Sequence, residues 1–249
     1  MPIALRKDAL LHLRNAYQQH MVQETDSAKA GQNFEYPSIH FSWYNRFAKQ
    51  GGNVPPDVDP AEHRRKGKRK SSKTAQSQPF TSAELQENMK EYGILSQCFR
   101  DMFEWIAKAV ELFLPAEYKV LAQYADILPM DAPCAAYPFT SFVINFNVAT
   151  TLHRDWKDMM FCVVVALSDD KCTDGDLCFV EPGIRLQLRN GDVVMFLSGK
   201  LTHFNMHFKG LRASLVMHSD HAGKNWVSNR NNWEKSIYMN KVTPGQSFR

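Results

Sequence analysis

The sequence predicts an α+β fold in which N-terminal helices are followed by a jelly-roll core. Two observations support this prediction. Before about residue 114, apolar residues recur at helical spacing, and from about residue 138 they occur in short runs rich in Val, Phe and Ile. Turn pairs such as Asn190-Gly191 separate these runs, and several short strands at this spacing favour a sandwich or jelly roll.

The composition limits the class of protein. The chain has 249 residues, 44% of them hydrophobic, with 16 Phe and 5 Trp, so it is able to bury a large core. It contains no uninterrupted apolar run long enough to cross a bilayer, so we expect no membrane span. The five cysteines are scattered and form no CxxC pair, which favours a reducing compartment without disulfides or a zinc site. The net charge of +4 permits a polyanionic partner.

We expect three parts along the chain. Residues 1–49 form an N-terminal segment with an amphipathic helix over 4–22, too charged for a signal peptide, and an aromatic stretch over 34–48 that packs on the core. Residues 50–80 form a basic, disordered linker or loop, because Gly, Pro and basic residues leave little to bury. Residues 81–249 form the main domain.

The main domain begins with a predicted support helix over residues 81–114. Thr81 and Glu84 have the spacing of a capping box, the helical pattern stops before Pro115, and Gly93 is a candidate break in the middle. Six strands are predicted to follow, over residues 141–148, 160–167, 176–181, 184–188, 192–197 and 212–218. The C-terminal extension, with Trp226 and Trp233, flanks the site, contacts DNA or caps the core, and we favour the cap.

A candidate metal site follows the first core strand. His153 and Asp155 are two residues apart and therefore project to one side of an extended chain, although a surface polar pair is the alternative. His203 follows a later strand and supplies a second imidazole. Two histidines and one carboxylate bind one face of iron(II) and leave three positions open, two for a keto acid and one for O₂. His207 is the alternative distal histidine, and we prefer His203 because a longer return to the next strand suits the jelly roll.

A candidate anion site lies at the start of the last core strand. Arg212 is placed there, and a guanidinium is able to bind a carboxylate through two parallel hydrogen bonds. Ser214 is a candidate for an additional hydroxyl contact, with an ordinary strand serine as the alternative. We therefore predict that Arg212, Ser214 and Asn145 bind the far end of the co-substrate.

Four segments resemble the double-stranded β-helix core of the TET/JBP dioxygenases, in particular the short fungal TET-like proteins. They are FNVATTLHRDWKD, DDKCTDGDLCFVEPG, LQLRNGDVVMFLSGKLTHFN and RASLVMH, within about residues 138–221. The resemblance implies a jelly-roll or cupin-like double-stranded β-helix with iron(II), 2-oxoglutarate and O₂ as cofactors. It places the iron ligands at His153, Asp155 and His203 and the 2-oxoglutarate clamp at Arg212.

The resemblance also implies a substrate. TET-like enzymes oxidise 5-methylcytosine in double-stranded DNA to 5-hydroxymethylcytosine and further oxidised forms, with the methylated base flipped out of the duplex. We predict substrate contacts at Asp158, His218, Asn147 and Trp156. A solvated carboxylate for Asp158, a core histidine for His218 and a core tryptophan for Trp156 are the alternatives. No obligate protein partner is evident.

Two features bear on this assignment. The basic run over residues 63–73 is interpreted as a nuclear-localisation signal, an arm that contacts DNA, or a solvated loop. Where many relatives carry Gly-Gly, this chain has Gly175-Asp176, and the additional DNA-binding regions of larger relatives are absent.

Other functions stay open at this point. The same iron site would serve an N6-methyladenine DNA demethylase, or a hydroxylase of a protein or small molecule. A DNA-binding module that has lost its iron, or a lectin or cupin with a structural metal, belongs to a different class. The presence of both the candidate triad and Arg212 favours the oxygenase.

Overall fold

The computed structural model describes residues 1–16, 38–43, 81–128 and 133–229. The predicted linker over 50–80 and its basic run lie outside the described residues, as does the part of the extension after residue 229. Within the described ranges, none of the helices combines the length and the apolar character needed to cross a bilayer.

The helices of the described residues lie mostly before the sheet. They are α1 (Ile3–Arg6), α2 (Ala9–Ala16), α3 (Ala83–Glu87), α4 (Met89–Cys98), α5 (Arg100–Phe113), α6 (Pro115–Asp126) and α7 (Gly223–Asn229). The predicted N-terminal helix is interrupted at Asp8, which has a φ of 64°. The support helix is also interrupted, at Asn88 and Phe99 and not at Gly93. Helix α6 was not predicted, because Pro115 starts it instead of ending the helical region.

The start of α3 ties the helices to the sheet. The predicted cap at Thr81 is wrong by one residue, since the Ser82 hydroxyl accepts the Leu85 N–H at 3.2 Å and donates to the His40 carbonyl at 3.0 Å. The Glu84 carboxylate accepts the His40 N–H at 2.6 Å. These bonds cover the outer edge of a strand that would otherwise expose unpaired backbone groups.

The strands form one large and two small antiparallel sheets. They are β1 (Ser38–Ser42), β2 (Ser141–Phe146), β3 (Cys162–Ser168), β4 (Thr173–Asp174), β5 (Leu177–Phe179), β6 (Ile184–Leu186), β7 (Val193–Phe196), β8 (His203–Asn205), β9 (Phe208–Lys209) and β10 (Arg212–His218). The large sheet has the order β1-β2-β10-β3-β7, the second has the order β6-β5-β8, and β4 pairs with β9. The six predicted strands are confirmed within a few residues, and the predicted α+β fold with them.

The large sheet separates two apolar clusters. On β10, Ala213, Leu215 and Met217 belong to the main core, which the helices share. Val216, from the opposite face, packs against a second cluster that includes Phe179 on the second sheet. Because side chains alternate along a strand, the even-numbered residues of β10 face the space between the two sheets. Arg212, Ser214 and His218 therefore share one face with Val216.

Helix α7 packs beside the end of α6. Trp226 is buried, and its indole N–H donates to the Ile127 carbonyl at 2.8 Å. This contact is consistent with the expected capping role for the described part of the C-terminal extension.

Candidate metal centre and co-substrate pocket

The backbone brings the two candidate metal-binding loops together. The His153 N–H donates to the His203 carbonyl at 3.1 Å, and the His203 N–H donates to the His153 carbonyl at 3.0 Å. The Asp155 N–H donates to the Ser198 carbonyl at 3.1 Å. Residues that are far apart in sequence are thereby held in fixed register at one end of the sheet pair.

The three predicted ligands converge. His153, Asp155 and His203 each offer a ligand atom, and these atoms all lie within 4.8 Å of one another. Asp155 Oδ2 is 3.6 Å from His203 Nε2, and Asp155 Oδ1 is 4.0 Å from His153 Nε2. His203 is buried, whereas His153 and Asp155 are partly exposed, so the cluster opens to solvent on one side. His207 is exposed and is not part of the cluster.

Hydrogen bonds fix which imidazole nitrogens face the cluster. His153 Nδ1 lies 2.7 Å from the Thr151 carbonyl, and His203 Nδ1 lies 3.0 Å from the Leu201 carbonyl. A carbonyl only accepts, so each Nδ1 carries the proton and each Nε2 keeps its lone pair. This arrangement is common for metal-binding histidines.

The charges of the cluster also suit a cation. Burial lowers the pKa of His203, which favours the neutral imidazole that binds metals. Burial and the nearby charge of Asp158 raise the pKa of Asp155. A bound divalent cation would favour the ionised Asp155 carboxylate and so offset both burial and the charge of Asp158. Two imidazoles with one carboxylate match the donor set for non-haem iron(II).

Arg212 provides a buried positive charge. Its side chain donates to the Gly175 carbonyl and its guanidinium carbon lies 5.6 Å from the centre of the Phe208 ring. Among the described residues, no carboxylate lies within ion-pair distance of Arg212, and burial lowers the pKa of its guanidinium. Because a buried cation without a counter-ion is unfavourable, an anionic group bound here would be stabilised.

The other residues predicted for this pocket lie on β2 and β10 near Arg212. The Asn145 amide donates to the Ser214 hydroxyl at 3.2 Å, and the Ser38 hydroxyl donates to Asn145 at 2.6 Å. Asn147, which we predicted to contact the substrate, is 2% exposed, and its amide oxygen accepts the Arg212 N–H at 3.0 Å. Asn147 therefore helps to hold the backbone of Arg212 at the anion site.

Gly175 allows the Arg212 side chain to lie where it does. Gly175 has a φ of 76°, and a Cβ there would lie 2.1 Å from Arg212 Nη1 and 2.8 Å from Phe208 Cβ. We expect Gly175→Ala to destabilise the fold by about 2–5 kcal/mol, from the left-handed backbone and the clash together. The matched control is Gly183→Ala, with a φ of 64° and nothing within 4 Å, which should cost only about 1–2 kcal/mol. Denaturant unfolding of both variants tests this, and equal losses would show that the clash has no effect.

A second group of polar residues lies beside the candidate metal site. Asp158 Oδ1 is 3.0 Å from His218 Nδ1, and Asp158 Oδ2 accepts the Ser198 hydroxyl at 2.6 Å. Burial alone would lower the pKa of His218, but its close contact with the Asp158 carboxylate, together with the charges of Asp155 and Asp220, raises it. Both residues therefore lie next to the candidate site, and Asp158 orients His218.

The Asp158–His218 pair makes stability depend on pH. Because the pKa of His218 is raised above 6.5 on folding, the stabilisation is complete below that pH and is lost as the pH rises through the folded-state pKa. We expect Asp158→Asn to destabilise the metal-free protein by about 2 kcal/mol near pH 6 and by clearly less near pH 9. Denaturant unfolding at the two pH values measures this, and an equal loss at both would contradict it.

Trp156 lies outside the core. Its side chain is 72% exposed, and the Arg154 guanidinium carbon is 5.2 Å from the centre of its ring. The interpretation as a core tryptophan is therefore wrong. Leu152 is also exposed, so two large apolar side chains flank the metal-binding loop on its solvent side.

His40 is an exposed residue near the candidate site that the sequence did not indicate. It lies on β1 opposite Val143, which in turn pairs with Val216 on β10, so it shares a sheet face with His218. Burial lowers the pKa of His40, and the charges of Glu84, His218 and Asp155 act on it. Nothing in the sequence pointed to His40, because the aromatic stretch around it predicted only packing on the core.

The comparisons with known proteins bear on the fold. No protein-family profile and no curated protein matches this sequence. Among solved structures, NgTET1 in complex with 5mC DNA aligns with a TM-score of 0.56 over 90% of this chain and 70% of that chain, at 12% identity. The chain has a 2-oxoglutarate oxygenase-like fold. The predicted double-stranded β-helix core is thereby confirmed.

A bacterial structure was also found. It is an oxidoreductase of the 2OG-Fe(II) oxygenase family from Burkholderia pseudomallei, 21% identical, with a TM-score of 0.29 over 32% of this chain and 43% of that one. The predicted cofactors, iron(II), 2-oxoglutarate and O₂, are supported by the His-Asp-His cluster within a fold of this type.

Proposed function

We propose that this chain is an iron(II)- and 2-oxoglutarate-dependent dioxygenase that oxidises the methyl group of a modified DNA base. The observation that carries the oxygenase part is the convergence of His153, Asp155 and His203 within 4.8 Å, with both Nε2 atoms available. The buried cation of Arg212, on the sheet face between the two sheets, supplies the matching site for a dicarboxylate.

Each residue has a role in this proposal. His153, Asp155 and His203 hold iron(II), and Arg212 binds the far carboxylate of 2-oxoglutarate, with Ser214 and Asn145 beside it. When bound, the metal supplies the chemistry that converts 2-oxoglutarate, O₂ and a C–H bond into succinate, CO₂ and an alcohol. The protein orients the reactants and limits the access of water, while the partly exposed side of the cluster admits the substrate.

A methylated DNA base is the proposed substrate. The structural similarity to a TET protein solved with 5mC DNA supports it at the level of the fold, and the resemblance of the metal-binding segments supports it at the level of sequence. A base methyl reaches the site only when the nucleotide leaves the stack. The exposed Trp156, with Lys157 and Lys200 in neighbouring loops, offers stacking and phosphate contacts at the open side.

The Asp158–His218 pair is the proposed recognition element for the base. Asp158 holds His218 Nδ1, which leaves Nε2 to bond to a pyrimidine edge. The basic run over residues 63–73 supports a nuclear location, which is part of the proposal.

Nucleoside analysis tests the substrate. The protein is incubated with iron(II), 2-oxoglutarate and duplexes that carry 5-methylcytosine or N6-methyladenine, and the products are measured by mass spectrometry together with succinate. We expect 5-methylcytosine to be consumed. Consumption of N6-methyladenine alone would assign the demethylase instead, and succinate formation only with a protein or small molecule would overturn the DNA assignment.

A further inference from the structure

One hydrogen-bonded cluster joins the two metal-binding loops and takes no part in the proposed chemistry. Arg154 Nε donates to the Thr202 hydroxyl at 2.8 Å, and Arg154 Nη2 donates to Glu181 Oε1 at 2.5 Å. The Thr202 hydroxyl donates to Glu181 Oε1 at 2.5 Å, and the Thr202 N–H donates to Oε2 at 2.8 Å. We call these three residues the Arg154–Glu181–Thr202 cluster.

The position of the cluster relates it to the metal. Arg154 stands between His153 and Asp155 in the chain, and Thr202 directly precedes His203. Glu181 follows β5, the strand that pairs with β8. The cluster therefore connects both loops that carry candidate ligands to a single carboxylate on a third segment.

We propose that the Arg154–Glu181–Thr202 cluster is a positioning device that sets the spacing of the three metal ligands. Backbone hydrogen bonds already pair His153 with His203 and join Asp155 to Ser198. The side chains of the cluster add bonds from the residue between His153 and Asp155 to Thr202 and Glu181. The planar guanidinium adds two further bonds with fixed directions, one to each of the other two segments. A lysine cannot span the same pair of acceptors with one fixed geometry.

These contacts are expected to affect metal affinity more than the free energy of unfolding. Arg154 and Glu181 are partly exposed, with side-chain exposures of 32% and 37%, and exposed ion pairs contribute little to folding. Groups that hold metal ligands in position commonly change metal affinity by about tenfold or more when they are altered, and Arg154 and Thr202 adjoin the candidate ligands in the chain. The hydrogen bond from Thr202 is the largest of the effects that lower the pKa of Glu181 to about 2, so this acceptor stays ionised.

The inference rests on the proposed function, and metal titration separates the two. Co(II) is added to the full chain, and its visible absorption is followed for the wild type, Arg154→Lys and Glu181→Gln. We expect the apparent Kd for Co(II) to rise about tenfold in each variant. The double variant should be little weaker than either single variant, because both changes break the same cluster.

Stability in the presence of a chelator is the second measurement. We expect the thermal midpoints of the variants to lie within about 3 °C of the wild type. The control is Arg100→Lys, which alters the exposed ion pair between Arg100 and Asp101 on α5. This variant should leave the Co(II) affinity unchanged.

The outcomes are distinguishable. If the wild type binds no Co(II), the proposed metal site fails. If the wild type binds Co(II) and the variants bind it equally well, only the positioning role is overturned. Loss of duplex DNA affinity in Arg154→Lys with unchanged Co(II) affinity would also overturn it, because Arg154 would then be a phosphate contact.

Discussion

Replacing His153 or Asp155 with alanine is expected to reduce succinate formation by at least about 10³-fold, to the background of the assay. Each change removes one of three converging ligand atoms, and the two ligands that remain would hold iron(II) poorly. Metal binding, measured as bound iron per chain after anaerobic desalting, should fall together with turnover.

Two controls sharpen this result. His207→Ala removes the exposed histidine that competes with His203 in the sequence, and it should leave iron content and turnover near the wild-type values. Affinity for duplex DNA should persist in the alanine variants, because the charges outside the cluster are intact. Full turnover in Asp155→Ala would refute the metal site, whereas a wild type that binds DNA without forming succinate would indicate a binding module.

Arg212→Ala is expected to raise the KM for 2-oxoglutarate by about 10²-fold. Charge-assisted hydrogen bonds to a carboxylate contribute about 1.5–3 kcal/mol, and alanine removes all of those made by the guanidinium. Because Arg212 does not belong to the metal cluster, kcat at saturating 2-oxoglutarate should fall much less than kcat/KM. Initial rates at varied 2-oxoglutarate give both constants.

The conservative variant tests the geometry of the same site. Arg212→Lys keeps the charge but loses the planar pair of donors, so its KM should lie between those of the wild type and Arg212→Ala. Arg100→Ala, which replaces an exposed arginine on α5, should leave the KM for 2-oxoglutarate unchanged. A KM for 2-oxoglutarate that is unaffected in Arg212→Ala would place the dicarboxylate elsewhere.

Local sequence patterns were sufficient for much of the fold. Six strands could be predicted because alternating apolar residues and turn residues are local signals, and the pattern of β10 matched the observed strand over its full length. The missed strands β4 and β9 have two residues each, too few for a period to be recognised. Strand β8 was missed because only one of its three residues, Phe204, is apolar. Strand β1 was missed because its partner β2 lies about 100 residues away in the chain.

The kinds of residue that make up the candidate site were also within reach of the sequence. His153 and Asp155 are two apart, and Arg212 follows His203 at the start of a strand, so their types and order indicated a metal and an anion. Which side chains support them could not be read from the chain. Asn147 supports Arg212, and His40 faces His218, only through pairing between distant strands.

The sequence by itself determined the chemistry that is available, which is two imidazoles, a carboxylate and a guanidinium. It also indicated the strands beside them, through apolar residues that alternate with a period of two. Only the tertiary structure decided that His203 and not His207 joins the cluster, that Trp156 faces solvent, and that Glu181 connects both metal-binding loops. The physical reason is that type and spacing are local properties. Convergence and burial depend on how sheets pair across long stretches of chain.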